Sequence, residues 1–171
     1  FPGAKVNVRP LADGGEGTVE ALAGGMDGKI QRVTVTGPLG KPVTCEYGII
    51  EDTKTAIVEM SGAAGITLLT PGERNPLHTT TYGVGEVIRD AIEKGCRRFI
   101  VGIGGSATND GGMGAMRALG VRFLDAQGHE LEGKGEDLTK VADIDVGGLH
   151  PAVSQARFTV MCDVTNPLTG P

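Results

Sequence analysis

The sequence lacks tryptophan and has only 4% aromatic residues, so it offers few flat side chains on which the bases of single-stranded nucleic acid would stack. Basic residues are also in the minority, because 16 Lys and Arg stand against 21 Asp and Glu and give a formal net charge of −5. Domains that bind nucleic acid carry a basic patch or stripe. Both deficits argue against nucleic acid as a partner.

Cysteine and histidine are scarce, at three residues each. Cys45, Cys96 and Cys162 are far apart and form no CxxC pair, which excludes a zinc ribbon and a thioredoxin motif. The histidines form no HExxH motif and supply little for a His-based metal site or a Ser-His-Asp triad. An odd number of widely spaced cysteines indicates a reduced, cytoplasmic chain. Every long uncharged stretch is interrupted by glycine or polar residues, so we expect no membrane partner.

Glycine is the residue in excess, at 29 of 171 positions against an average usage of about 7%. The glycines follow no collagen period and form no low-complexity run. They cluster in short loops beside Asp, Glu, Ser, Thr and Asn. Such loops are the places where we look for a binding site.

The hydrophobic pattern predicts a mixed α/β fold. Three strand-like segments joined by short turns, at 29–36, 42–50 and 55–60, predict an antiparallel meander. An apolar stripe with helical spacing predicts a helix over residues 80–94, which we expect Thr79, Thr80 and Thr81 to cap. The remaining predictions are helices at 18–22 and 111–119, strands at 98–103, 121–124 and 157–162, and no assigned element over 130–153.

The most informative motif is GIGGSATNDGG at residues 102–112, which follows a predicted buried strand and precedes a predicted helix. Glycine lets backbone amides approach an anion closely, and a helix N-terminus favours negative charge. Ser106, Thr108 and Asn109 add side-chain donors, and Asp110 adds an acceptor for a hydroxyl or for Mg²⁺. The motif predicts a phosphate or carboxylate site. Its simpler alternative is a capping turn with Asn109 or Asp110 as the N-cap.

Two further loops have a similar composition. Asp13 and Glu16 lie in the segment DGGEGT before the first predicted helix, where carboxylates in a glycine loop suit Mg²⁺. Asp163 and Asn166 follow the last predicted strand. Cations are rare in all these loops, and Arg74, beside an Asn-Pro pair, is the best candidate for binding a phosphate.

Two familiar nucleotide motifs match the sequence only weakly. The stretch GHELEGK at 128–134 has the spacing of a P-loop, but Gly135 stands where the Ser or Thr should be. Residues 102–107 match GxGxxA, with Asp125 at the end of the next strand, and leave open a nicotinamide-dependent oxidoreductase. A non-catalytic carboxylate-binding fragment is the third alternative.

Five segments, taken in order, carry a resemblance to a known family. They are ADGGEGT at 12–18, GPLG at 37–40, NPL with TTTYG at 75–83, GIGGSATNDGG at 102–112 and CDVTNPL at 162–168. Together they closely resemble the bacterial type I glycerate kinase family. The resemblance covers essentially the whole chain, and its most specific part is the run at 102–112.

The resemblance implies phosphorylation of D-glycerate with ATP and Mg²⁺, with 2-phosphoglycerate as the favoured product. It also implies a flavodoxin-like α/β lobe, to which residues 1–30 belong, and an inserted mixed lobe formed by residues 31–171. The residues expected to serve that reaction fall into three groups. They are Asp110 and Asp163 for catalysis, Gly104, Gly105, Ser106, Thr108, Asn109, Arg74 and Asn166 for substrate or phosphate binding, and Asp13 and Glu16 for the metal.

Members of this family are about twice as long as this chain and contain further glycine-rich, lysine-bearing segments. The chain begins Phe1-Pro2-Gly3, without a methionine, and ends inside a polar stretch. We therefore expect an internal fragment of a longer enzyme, inactive in isolation because phosphoryl transfer needs more cationic groups around the phosphates.

Overall fold

The computed structural model describes residues 2–6, 11, 14–162 and 165. Its elements confirm the mixed α/β class predicted from the sequence. The helices are α1 (Thr18–Gly25), α2 (Met60–Ala64), α3 (Tyr82–Glu93) and α4 (Met113–Ala118). The strands are β1 (Lys29–Thr36), β2 (Pro42–Ile50), β3 (Thr55–Glu59), β4 (Arg98–Gly102), β5 (Arg122–Leu124), β6 (Asp143–Asp145) and β7 (Arg157–Met161). No helix among the described residues is long and apolar enough to cross a membrane.

Five strands form one mixed sheet in the order β1-β2-β3-β4-β7. The first three pair antiparallel, which confirms the predicted meander. β3, β4 and β7 pair parallel, so their carboxyl ends meet at one edge of the sheet. β5 and β6 form a separate two-stranded ribbon. The sheet therefore changes from antiparallel to parallel at β3.

Helix α3 covers one face of the sheet with the apolar stripe that its sequence predicts. The stripe residues Val84, Val87, Ile88, Ala91 and Ile92 are all buried in the main core. Full burial of one such aliphatic side chain stabilises the fold by about 1.5–3 kcal/mol. The packing of this face holds α3 against the sheet. The helix starts two residues later than predicted.

Helix α1 covers the opposite face. Its residues Val19 and Ala23 form a second, smaller core with Ile50 and Ile57. Ile57 lies between two strand residues that face the main core, and neighbouring residues of a strand point to opposite faces. The sheet is thus covered by helices on both sides where β3 lies. The division into two lobes at residue 30 stays a prediction.

The segment 130–153, which had no predicted element, contains only short elements. It holds the 3₁₀ turns Gly135–Lys140 and Pro151–Val153 and strand β6, which pairs with β5. Short elements carry too few periods for a hydrophobic pattern to be recognised. Their pairing depends on contacts made elsewhere in the chain.

Helices α3 and α4 approach each other closely at Gly85. A Cβ atom at this position would lie 2.2 Å from the Ala115 carbonyl oxygen and 2.7 Å from the Ala118 Cβ. Gly85→Ala should therefore lower the free energy of unfolding by about 1–3 kcal/mol, as overpacking does. Chemical denaturation of the two proteins measures the difference.

Gly24 in α1 provides the matched control, because a Cβ there meets no atom within 4 Å. Gly24→Ala should raise the free energy of unfolding by about 0.5–1 kcal/mol, since alanine loses less backbone entropy in a helix. Two changes of the same sign would contradict the packing described for α3 and α4.

Candidate functional site

The candidate site lies at the carboxyl edge of the parallel strands. β3, β4 and β7 end in register there, with Glu59 beside Gly102 and Gly102 beside Met161. The loop 102–112 starts at the end of the central strand of the three. In open α/β sheets ligands bind in the crevice outside the carboxyl ends of such strands. The position of the loop is therefore that of a binding site.

The two glycine loops singled out in the sequence are in direct contact. The Gly104 N–H donates a hydrogen bond to the Gly14 carbonyl oxygen over 2.9 Å. A Cβ at Gly102 would lie 2.5 Å from that oxygen, and one at Gly104 would lie 2.7 Å from the Gly15 Cα. Only residues without a side chain allow the two backbones to approach this closely.

Gly14 also contacts the end of β7. A Cβ on Gly14 would lie 2.9 Å from the Met161 carbonyl oxygen, and its φ of +95° is itself a glycine conformation. Met161 is the last residue of β7. The loop 14–17, the loop 102–112 and the end of β7 thus meet at one place, which we call the loop junction.

Several backbone groups of the 102–112 loop are already bonded within the protein. Besides Gly104, the Ala107 N–H donates to the Ala64 carbonyl, and Gly105 accepts from the Ile66 N–H, both over 2.9 Å. The Thr108 N–H donates to the Ser106 hydroxyl over 3.0 Å. These bonds fix the conformation of the loop and its position against neighbouring segments. They also mean that the amides of Gly104, Ala107 and Thr108 are engaged and that a phosphate would have to use other donors.

Asp110 is buried, with 1% of its surface exposed, and accepts four hydrogen bonds. The N–H and the hydroxyl of Thr81 each donate to Oδ2 over 2.8 Å, and the Gly114 N–H donates to the same oxygen. The Gly112 N–H donates to Oδ1 over 2.9 Å. The carboxylate therefore joins the N-terminal ends of α3 and α4, where negative charge is favourable.

Thr81 does not cap α3 as expected. Its hydroxyl makes no cap bond to its own helix α3. It donates to Asp110 and accepts from the Ala115 N–H over 2.9 Å, while the Thr79 hydroxyl donates to the Ala107 carbonyl over 2.9 Å. The threonines fasten α3 to the 102–112 loop and to α4. This role depends on a contact between segments about 30 residues apart, which a local pattern cannot indicate.

Two hollows flank the 102–112 loop and share the side chains of Ser106 and Thr108. The first, of about 310 Å³, is lined by Asn109 together with Asp110, and we call it the Asn109 hollow. The second, of about 230 Å³, is lined by Arg74, and we call it the Arg74 hollow. Arg74 therefore lies beside the 102–112 loop. In the sequence, only its positive charge had connected Arg74 with a phosphate-binding loop.

The predicted metal ligands are only partly described. Glu16 is exposed and accepts a hydrogen bond from the Thr67 hydroxyl over 3.1 Å. Asp13, Asp163 and Asn166 lie outside the described residues. Within the described ranges no three His, Cys, Asp or Glu side chains gather as a metal site would require. The described carboxylates therefore do not by themselves fit Mg²⁺.

Glu59 is a further candidate for the site, which the sequence did not indicate. It ends β3 at the loop junction, and its Oε1 accepts a hydrogen bond from the Val19 N–H of α1 over 2.5 Å. Burial, aided by the charges of Glu20 and Glu16, raises the pKa of the Glu59 carboxyl above its ordinary value. A carboxyl of raised pKa beside a binding crevice is a candidate for proton exchange. Its position at the end of a predicted strand was the feature of the sequence that could have identified it.

Ser61 is a second residue that was missed. It is 4% exposed, and its hydroxyl has no hydrogen-bond partner within the described part of the chain. It lies beneath Gly105, where an added Cβ would be 3.9 Å from the Ser61 Oγ. A buried hydroxyl without a partner costs about 1–3 kcal/mol. Ser61 thus lies against the loop with a hydroxyl that makes no hydrogen bond to the described residues.

The fold and these contacts define a mixed α/β protein with a glycine-lined crevice at the carboxyl edge of its parallel strands. The model of the Glycerate kinase family matches residues 1–171, and the chain belongs to that family. It is 50% identical over 171 residues to a glycerate kinase of Bacillus subtilis strain 168 and 48% identical over 170 residues to a glycerate 2-kinase of Escherichia coli K12.

The same comparisons give the extent of the match. The aligned region covers 100% and 99% of this chain but 45% of each of the two relatives. A crystal structure of a protein assigned as glycerate kinase 2 from Salmonella typhimurium LT2 matches with a TM-score of 0.89 and 51% identity, over 95% of this chain and 43% of that one. The chain thus spans less than half the length of these relatives.

The four hydrogen bonds of Asp110 lead to a stability prediction. Asp110→Asn places an NH₂ group against backbone donors whichever way the amide turns. The free energy of unfolding should fall by about 2–4 kcal/mol, the cost of losing charge-assisted bonds and leaving buried donors unpaired. Chemical denaturation measures it, with Asp52→Asn, at an exposed position, as the matched control. A loss equal to that of the control would show that the Asp110 bonds do not hold the helices together.

The cysteines give a second prediction. Burial, together with the charges of Glu59 and Glu46, raises the pKa of the Cys45 thiol to about 11. Burial also raises the pKa of Cys96, whereas Cys162 is exposed. Because the thiolate is the reactive form, a thiol reagent near neutral pH should modify Cys162 quickly in the native chain and all three cysteines only after denaturation.

A Cys162→Ser variant is the control and should lose the fast phase. Fast modification of Cys45 in that variant would mean that the sheet around Cys45 opens readily, contrary to its burial in the main core.

Proposed function

We propose that this chain is the part of a glycerate kinase that binds D-glycerate and the phosphates of ATP, and that the whole enzyme forms phosphoglycerate, with 2-phosphoglycerate favoured. The observation that carries the proposal is the loop junction: the Gly104–Gly14 hydrogen bond and the contact of Gly14 with Met161 bring three segments to one sheet edge. Membership of the glycerate kinase family supports the choice of substrate.

In the proposed reaction an oxygen of the glycerate hydroxyl forms a bond to the γ-phosphorus of ATP. The bond from that phosphorus to the ADP oxygen breaks, and the hydroxyl proton leaves to a base. Such transfers depend mainly on positioning and on charge stabilisation. The groups proposed for positioning are those that line the two hollows or the loop between them. They are Arg74, Gly104, Gly105, Ser106, Thr108 and Asn109, with Asn166 from the segment after β7.

Asp110 and Asp163 have different proposed roles. The four donors around Asp110 engage both of its oxygens, so Asp110 is proposed to position the loop and the helix ends. Asp163 follows β7 in the sequence and stays the candidate for accepting the hydroxyl proton. Glu59, with its raised pKa, is the alternative acceptor at the same sheet edge.

Mg²⁺ is proposed on the chemistry of the reaction, because a divalent ion neutralises the charge of the transferred phosphate. Asp13 and Glu16 remain the proposed ligands. Since the described carboxylates do not form a metal-binding cluster, the roles given above to the side chains do not depend on the ion.

The nicotinamide alternative loses its structural support. A dinucleotide-binding loop lies between two parallel strands of one sheet, with the acidic residue at the end of the second strand. Here the strand that follows the loop and α4 is β5, which pairs antiparallel with β6 outside the main sheet. Asp125 accepts hydrogen bonds from the N–H groups of Gln127 and His129 and thus closes a local turn.

The test uses the full-length protein with D-glycerate, ATP and Mg²⁺, and identifies the product by ³¹P NMR. We expect phosphoglycerate to form at the expense of ATP. Gly104→Val should lower kcat/KM by about 10²-fold or more, because a side chain there forces the 14–17 loop away and displaces the reacting groups. Gly24→Ala, remote from the junction, should retain the activity of the unchanged enzyme.

Binding of glycerate without any turnover in the full-length protein would support the carboxylate-binding alternative and contradict the kinase. Full activity in Gly104→Val would instead show that the loop junction has no part in the reaction.

A further inference from the structure

We infer that the Arg74 hollow is the subsite for the carboxylate of the sugar acid. This inference rests on the proposed function and adds an orientation to it. The Arg74 hollow, of about 230 Å³, is lined by three apolar residues, two hydroxyl residues and one cation. These are Ile66, Pro76, Ala107, Ser106, Thr108 and Arg74.

Arg74 is available to bind an anion. In the described part of the chain its guanidinium has no ion-pair or hydrogen-bond partner, and its side chain is exposed. Its acidic neighbour Glu73 is engaged elsewhere, since its Oε2 accepts from the N–H and the hydroxyl of Thr70 and its Oε1 lies 3.7 Å from the Lys41 amine. A planar guanidinium presents paired donors that match the two oxygens of a carboxylate.

The hydroxyl groups of Ser106 and Thr108 add a hydrogen-bond donor to the same hollow. The Ser106 and Thr108 hydroxyls are 2.8 Å apart, and the Ser106 oxygen also accepts the Thr108 N–H. The Ser106 hydroxyl can donate either to the Thr108 carbonyl oxygen, 3.3 Å away, or to the Thr108 hydroxyl oxygen. When it donates to the hydroxyl oxygen, the Thr108 hydroxyl proton is free to donate to a ligand oxygen. A short polyhydroxy acid held by Arg74 would therefore place its hydroxyl groups against Ser106 and Thr108.

The charge in this hollow matches a carboxylate better than a triphosphate. A single cation among apolar side chains balances one negative charge, whereas the phosphates of a nucleotide carry several and need more cationic groups. Ser106 and Thr108 also line the Asn109 hollow, so the two hollows adjoin at these residues.

Steady-state kinetics of the full-length enzyme test the assignment with Arg74→Gln and Arg74→Lys. Loss of a charge-assisted pair should raise KM for D-glycerate about 10- to 100-fold in Arg74→Gln, while KM for ATP stays within about 2-fold. Arg74→Lys should recover part of the loss, because it restores the charge without the paired donors. Arg89→Gln, at another exposed arginine that lines a different hollow, is the matched control.

A rise in KM for ATP with an unchanged KM for D-glycerate would overturn the assignment and place the nucleotide in the Arg74 hollow. Unchanged values for both substrates would overturn it as well.

Calorimetry separates failure of this inference from failure of the proposed function. The unchanged protein should bind D-glycerate without nucleotide and should bind glyceramide, its neutral analogue, at least 10-fold more weakly, and Arg74→Gln should lose this preference. If the full-length protein binds glycerate through Arg74 but transfers no phosphate, the kinase proposal fails and the subsite stands. Equal binding of acid and amide by the unchanged protein would contradict the subsite.

Discussion

The candidate site depends on one close backbone contact, between Gly14 and the start of the 102–112 loop. The parallel pairing of β3, β4 and β7 brings the loop and the end of β7 to one edge, and the contact closes the N-terminal glycine segment onto them. A Cβ at Gly102 or Gly104 would lie within 3 Å of that segment. The high glycine content is therefore explained in part by a requirement for close approach and not by flexible linkers.

Buried polar groups hold the rest of the 102–112 loop against the N-terminal ends of α3 and α4. Asp110 joins the first turns of α3 and α4 through four hydrogen bonds, and Thr79 fastens the loop to the segment before α3. These groups bond to backbone N–H and C=O groups that would otherwise lack partners. The loop proposed to bind a ligand is thus also held by hydrogen bonds that stabilise the fold. Substitutions in it should affect stability and function together.

The sequence predicts the elements of this protein better than the contacts between them. The period of the apolar residues in α3 and the alternation in β1 to β3 are local properties, so both were predictable. Residue type alone made the 102–112 loop and Arg74 candidates for the site, but their proximity could not be predicted. The hydrogen bonds between Asp110 and Thr81 and the contact between Ser61 and Gly105 join residues 29 or more positions apart along the chain, and no local pattern specifies them. Short elements such as β6 were missed for the same reason.

A crystal structure of the full-length enzyme with D-glycerate and a non-hydrolysable ATP analogue tests the central claim most directly. The account predicts that both ligands contact the 102–112 loop, with the loop still hydrogen-bonded to Gly14 and with the glycerate carboxylate at Arg74. Ligands bound away from this edge of the sheet, for example in the hollow between Tyr82 and Arg117, would contradict it.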